Sequence, residues 1–123
     1  MAPLAVAIGG ALGALSRWSL NQLILTRWVN KYPAGTLAVN LLGCLLFGIV
    51  YGYLSRRIGL RSDIGLFLLT GFLGSFTTFS TYASDTVRLA QDNGFGAAAV
   101  NIAVHTVMGI LLILTGLWLA ARG

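Results

Sequence analysis

Four long stretches of this sequence, at about residues 3–26, 34–55, 63–88 and 95–121, are nearly continuous runs of apolar residues, and short polar clusters separate them. A helix needs roughly 20 apolar residues to cross the hydrocarbon core of a bilayer. In water the same stretches would leave most of a small domain's surface uncoated. Soluble domains draw about 25% of their residues from Asp, Glu, Lys and Arg; here the share is 9%, and the mean hydropathy is +0.85. The stretches take up most of the 123 residues, leaving room for turns but for no soluble domain. The expectation is an all-α membrane protein, one domain of four transmembrane helices over residues 1–123.

The punctuation agrees with that division. Arg27 and Lys31 mark an aqueous turn, and Pro33 suits the first turn of the next helix, where its missing N–H is no loss. Arg56, Arg57 and Arg61 form a second turn, and Asp92-Asn93-Gly94 is a third turn signal. The first stretch has no basic leader region and is interrupted by Arg17, so it is expected to be a retained span rather than a cleaved signal. Two spans carry small residues four apart, Gly9 with Gly13 and Gly48 with Gly52, the spacing that lets helices approach closely in lipid. The third span differs. From Thr70 to Tyr82 it places glycines before a run of β-branched and hydroxyl residues, which weakens a helix. A break is predicted between Gly74 and Thr78, facing inward, because irregular backbone at membrane depth persists only when buried in protein or lining a watery cavity.

Charge excludes several classes of function. The net charge is +5, from eight Lys and Arg against three Asp and no Glu. The basic residues stand at the ends of spans and form no stripe with interleaved aromatics, which argues against nucleic acid as a partner. Cys44, the only cysteine, rules out a disulfide within the chain and reads as a small packing residue. With an even number of spans, Arg56, Arg57, Arg61 and Arg122 share one side and Arg27, Lys31 and Arg88 the other. Four against three is a weak bias under the positive-inside rule, so one fixed orientation and insertion both ways stay open. Four short helices cannot surround a wide pore alone, and a two-fold dimer is the commonest closed assembly.

Polar residues inside spans are costly and tend to mark pathways. They are Arg17, Asn21, Thr36, Asn40, Thr77, Thr78, Ser80, Thr81, Tyr82, Asp85, Asn101, His105 and Thr106. Asn101, His105 and Gly109 are four apart and share a helical face, which fits either interhelical hydrogen bonds or a polar track. His105 can change charge near neutral pH, but a proton relay would need a paired carboxylate. Arg17 suits a structural role, bonded to helix carbonyls or to Asp85, or an anion-attracting vestibule. Asn40 is either interhelical glue or a donor to a passing anion.

Three segments carry a resemblance. Gly9-Gly10-Ala11-Leu12-Gly13-Ala14-Leu15-Ser16-Arg17, Gly35-Thr36-Leu37-Ala38-Val39-Asn40 and the run from Gly71 to Tyr82 resemble, in order, the first three helices of the small fluoride channel family, also called the fluoride exporter or camphor-resistance family. The resemblance implies an antiparallel, dual-topology homodimer in the bacterial cytoplasmic (inner) membrane, with two narrow pores for fluoride. It implies a structural sodium ion at the dimer centre, held by backbone carbonyls that fall at Gly74 and Thr77. The family's pore aromatics fall at Phe79 and Tyr82, its pore asparagine at Asn40, and its hydroxyl track at Ser80 and Thr81, facing Asn101 and His105. Departures are Tyr82 in place of Phe, Asp85 in place of Glu, and Asn101 and His105 where many relatives have Tyr and Ser.

The residue types suit the ion. Fluoride is small and strongly hydrated, so a pore must replace its water with donors such as Asn40, Ser80 and Thr81. Aromatic rings present a positive edge, and Phe79 and Tyr82, three apart, lie on nearly one face. Weak sites in series let an ion both enter and leave. No carboxylate pair, nucleophile constellation or phosphate loop points to an enzyme. The main alternative is a small proton-coupled cation exporter, which would need a carboxylate that the first two spans lack. A non-conducting assembly subunit would leave the threonine-serine run unexplained.

Overall fold

The computed structural model describes residues 1–27 and 32–123, and these form helices joined by short turns. Helix α1 spans Ala2–Arg27 and α2 spans Ala34–Arg57. Helix α3, residues 63–76, is continuous but changes winding: Asp63–Gly65 is α-helical, Leu66–Leu73 is π-helical and Gly74–Phe76 is α-helical again. Thr77 and Thr78 are extended, after which α4 covers Phe79–Asn93 and α5 covers Phe95–Arg122. The turn marked by Lys31 lies outside the described residues.

Among the described residues, three helical units are both long and apolar enough to cross a membrane: α2, α5 and the α3–α4 pair. Helix α1, with 26 residues, reaches about 39 Å at 1.5 Å per residue, and Ser16, Arg17, Ser19 and Asn21 interrupt its apolar run.

Local chemistry sets the ends. The Ser62 hydroxyl accepts the Gly65 N–H at 3.1 Å and donates to the Gly59 carbonyl at 2.8 Å, capping α3. Pro33 occupies the cap position of α2, just before its first turn. Helix α4 runs on past the expected end near residue 88 and stops at Gly94, whose φ of 89° lies in the left-handed region that favours glycine.

Two pairs of helices are packed backbone to backbone, α1 on α3 and α2 on α5. A Cβ on Gly9 would collide with the Phe67 carbonyl, and one on Gly13 with the Phe72 carbonyl. On the other pair, a Cβ on Gly48 would strike the Ile113 carbonyl, and one on Gly116 would lie 2.5 Å from the Leu45 carbonyl oxygen. Lipid gives helices no hydrophobic reason to associate, so this close van der Waals fit does the joining. Val39, Leu54, Leu73, Phe76, Leu89 and Ala98 form the buried apolar core.

The predicted break is present, at the far end of its expected window. Gly74 remains helical, with φ −62° and ψ −32°. The chain opens at Thr77, with φ −80° and ψ 158°, and at Thr78, with φ −147° and ψ 111°. β-branched side chains prefer that region. Gly71 does not loosen the helix; a Cβ there would meet the Val6 carbonyl oxygen at 2.8 Å, so it too serves the contact with α1.

Candidate ion pathway

Two extended residues in the middle of a spanning unit leave main-chain groups without helical partners, and such groups are costly at membrane depth. Asn40, projecting from α2, meets them with both ends of its amide. Its Nδ2 donates to the Thr78 carbonyl at 3.1 Å, and its Oδ1 accepts the Thr78 N–H at 2.9 Å. Gly43, one turn further along α2, makes the approach possible, since a Cβ there would occupy the place of the Thr77 Cγ2 methyl. The Thr77 hydroxyl donates back to the Leu73 carbonyl at 2.9 Å. The Thr78 hydroxyl accepts the Thr81 N–H at 3.3 Å and donates to the Thr81 hydroxyl at 2.9 Å, capping α4.

These bonds divert two N–H groups. In a continuous α-helix the Thr78 N–H would bond the Gly74 carbonyl, and the Thr81 N–H would bond the Thr77 carbonyl. Here the first goes to Asn40 and the second to the Thr78 hydroxyl. The Gly74 and Thr77 carbonyls are thereby released from helical bonding.

The break forms one wall of a cavity of about 510 Å³ whose lining includes Asn40, Thr77, Thr78, Phe79, Tyr82 and His105 and, among the described residues, carries no Asp, Glu, Lys or Arg. Phe79 and Tyr82 sit 5.6 Å apart between ring centroids, tilted by 52°, and Tyr82 in turn sits 4.4 Å from the His105 ring, tilted by 46°. Three rings thus run in a row from α4 to α5. Phe79 is 79% exposed, so most of its ring is left uncovered by the described residues.

A second cavity, of about 370 Å³, is more polar than the first and includes Asn21, Thr36, Thr81, Asp85, Arg88 and Asp92 in its lining. Asn21 Oδ1 and Asp85 Oδ2 are buried there without a hydrogen-bond partner among the described residues. The hydroxyl track is accordingly divided. Thr81 lines the second cavity, while Ser80 is exposed and lines neither.

Asn101 also lines neither cavity. It is fully buried, accepting the Tyr32 hydroxyl at 2.9 Å on Oδ1 and donating through Nδ2 to the Thr86 hydroxyl at 2.8 Å. Thr86 passes the chain on to the Tyr82 carbonyl at 2.8 Å. Asn101 is therefore a strut that ties α5 to α4 and to the start of α2, and burial pushes the Tyr32 phenol above its usual value, keeping it a donor. Tyr32 and Thr86 were not among the expected site residues; the spacing of Tyr82 and Thr86, one turn apart, was the available signal for the second. Among the described residues Arg17 makes no ion pair with Asp85, contrary to one expectation. The α1 residues that reach the cavity of Asp85 are Asn21 and Leu25, one and two turns further on.

A sequence profile described as CrcB-like protein, Camphor Resistance (CrcB) matches residues 4–117. A protein of Nitratidesulfovibrio vulgaris named fluoride-specific ion channel FluC is 44% identical over 111 residues, 90% of this chain and 90% of its own. Proteins of the same name from Maridesulfovibrio salexigens and Trichormus variabilis are 39% identical over 112 residues and 42% identical over 116. These alignments cover 91% and 94% of this chain and 89% and 85% of theirs. With the profile running through both the Thr77–Thr78 break and the asparagine that clamps it, this chain belongs to the CrcB family.

Proposed function

We propose that the chain is a fluoride-specific ion channel that lets the anion leave the cytoplasm passively, and that it does no enzymatic chemistry. The observation that carries the reading is the Thr77–Thr78 break, clamped by Asn40 and set in the wall of a cavity whose described lining carries no formal charge. A fixed cation would hold a small anion too tightly to conduct it, whereas weak neutral donors in series let it pass.

In this mechanism fluoride exchanges its water for hydrogen-bond donors and ring edges. Asn40 Nδ2 has two hydrogens and gives one to Thr78; the other is available to the ion. Ser80 and Thr81 contribute hydroxyls, Phe79 and Tyr82 their positive edges, and His105 the far wall. Asn101 acts one step back, by fixing α5 against Tyr82. Arg17 and Asp85 belong to the approaches, Asp85 through the polar cavity it lines. An inside-negative potential drives the anion outward by about 2.3 kcal/mol per 100 mV.

The working unit is an antiparallel homodimer of four-span chains in the bacterial cytoplasmic membrane, with two pores. Support comes from the outer face of α3 and α4, where Thr70, Gly74, Ser80, Thr81 and Ser84 are exposed beside Phe79. Hydroxyls at membrane depth are poor company for acyl chains, and a second copy would cover them. A structural sodium ion between the copies fits the same face. Gly74 and Thr77 offer carbonyl oxygens freed of helical N–H partners, and such oxygens suit a hard cation. When bound, the ion would supply positive charge that offsets the repulsion an anion meets near carbonyl oxygens.

The test is fluoride-electrode efflux from liposomes without a proton gradient, comparing the native chain with Phe79→Ile. Isoleucine keeps the bulk and removes the ring edge, so efflux should fall at least about tenfold, equivalent to losing roughly 1.4 kcal/mol at the barrier. Proton-driven ethidium transport without fluoride efflux would overturn the reading in favour of a cation exporter.

A further inference from the structure

Helices α2 and α5 stay in close contact up to the end where both finish. Gly52 is buried, and a Cβ on it would lie 2.8 Å from the Ala120 Cβ. That contact sets the last turn of α2, with Arg56 and Arg57, beside the last turn of α5, with Arg122. Between them lies a pocket of about 170 Å³ whose lining includes Tyr53, Arg56, Arg57 and Arg122 and, among the described residues, no Asp or Glu.

All three guanidiniums are exposed, and the chain itself does little to satisfy them. Arg57 Nη2 donates to the Gly123 main-chain oxygen over a long 3.4 Å. Arg122 sits over the Trp118 ring, 3.6 Å from its centroid, an attraction that uses the ring's negative face and no hydrogen-bond acceptor. Among the described residues, Arg56 and Arg122 have neither an ion pair nor a hydrogen bond. The carboxylates are elsewhere: Asp85 and Asp92 line the second cavity, and Asp63 opens α3 outside this lining.

The pocket stands at the depth of lipid headgroups. Helices α2 and α5 have 24 and 28 residues, whereas roughly 20 cross the hydrocarbon core, so their terminal arginines lie beyond it. Tyr53 and Trp118, 48% and 51% exposed, are of the kind that gathers at that boundary. From Trp118 toward the midplane, Leu114, Leu111 and Val107 follow at helical spacing and are exposed too. An apolar lane therefore leads from beneath Arg122 into the core.

We propose that this pocket is a headgroup site for an anionic phospholipid: Arg56, Arg57 and Arg122 donate to the phosphate, and an acyl chain lies along Trp118, Leu114, Leu111 and Val107. Charge complementarity selects the phosphate, whose oxygens match the planar fork of arginine. The lane selects a lipid, because a free phosphate would leave it without a role. The site shares no lining residue with the ion pathway, so it does not depend on which ion the chain conducts. Each arginine near an anionic headgroup contributes about a fivefold factor in affinity, and three together about a hundredfold.

The experiment titrates the full chain, in a non-ionic detergent, with phosphatidylglycerol and with phosphatidylcholine of matched acyl chains, and counts bound lipid by native mass spectrometry. Phosphatidylglycerol should bind more tightly, and equal affinities would overturn the proposal. Arg56→Gln/Arg122→Gln should weaken phosphatidylglycerol binding about 25-fold and leave phosphatidylcholine binding nearly unchanged. Arg61→Gln removes a charge outside the lining and should bind like the native chain. A double variant that keeps the native affinity, or an equal loss in Arg61→Gln, counts against the pocket. Inorganic phosphate forms the last arm. It should leave the lipid bound at equimolar concentration; displacement of the lipid would make this a free-anion site and sink the proposal.

Discussion

Asn40→Asp separates the two tasks assigned to Asn40. The carboxylate still accepts the Thr78 N–H, now at 2.9 Å with the asparagine, and a charged acceptor strengthens that bond. What is lost is the 3.1 Å donation to the Thr78 carbonyl. Leaving that carbonyl unpaired costs about 1–3 kcal/mol. The effect on conduction is larger. A negative charge about 4 Å from a passing anion opposes it by roughly 4 kcal/mol at an effective dielectric of 20. At about 1.36 kcal/mol per decade that is close to a thousandfold in rate. The variant should therefore remain folded and lose nearly all fluoride efflux. The assay is electrode-recorded efflux from liposomes at matched protein density, with size-exclusion profile and thermal unfolding in detergent as checks on folding. A monodisperse Asn40→Asp protein conducting within a few-fold of the native chain would refute the placement of Asn40 on the ion's route.

Gly48→Ala puts a methyl group into the Ile113 carbonyl, forcing α5 off α2, and should lower unfolding stability in detergent by about 1–3 kcal/mol. Gly96→Ala is the control: its Cβ meets nothing within 4 Å, and the helix should gain up to about 1 kcal/mol. Asn101→Leu strands the Tyr32 hydroxyl and breaks the bond to Thr86. It should cost about 1–3 kcal/mol in thermal unfolding, and an unchanged midpoint would count against the strut.

The sequence made the helix contacts legible because they depend on an absence. Gly9, Gly13 and Gly48 have no side chain, and their spacing alone implies that another backbone comes close. The break was legible for a similar reason, since adjacent threonines favour extended backbone. Its position within the window was not, because Gly71 is held helical by contact with α1 and Gly74 stays helical too. The π-helical winding of Leu66–Leu73 left no mark, as Leu-Phe-Leu-Leu-Thr-Gly-Phe-Leu suits either helical register. The role of Asn101 was undecidable from one helix. Spacing places it with His105 on one face, but its partners, Tyr32 and Thr86, come from elsewhere in the chain. The absence of a bond between Arg17 and Asp85 was hidden likewise, because it depends on which turns of α1 face the cavity that Asp85 lines.

The interruption at Thr77–Thr78 also changes the electrical character of the membrane's midplane. A continuous helix carries its positive and negative ends to the two water boundaries, where solvent mutes them. Cutting it brings the carbonyl end of α3 and the amide end of α4 together in a poorly screening interior, each with about half an elementary charge. One stretch of polypeptide can then attract ions of both signs, a few residues apart, without a charged side chain.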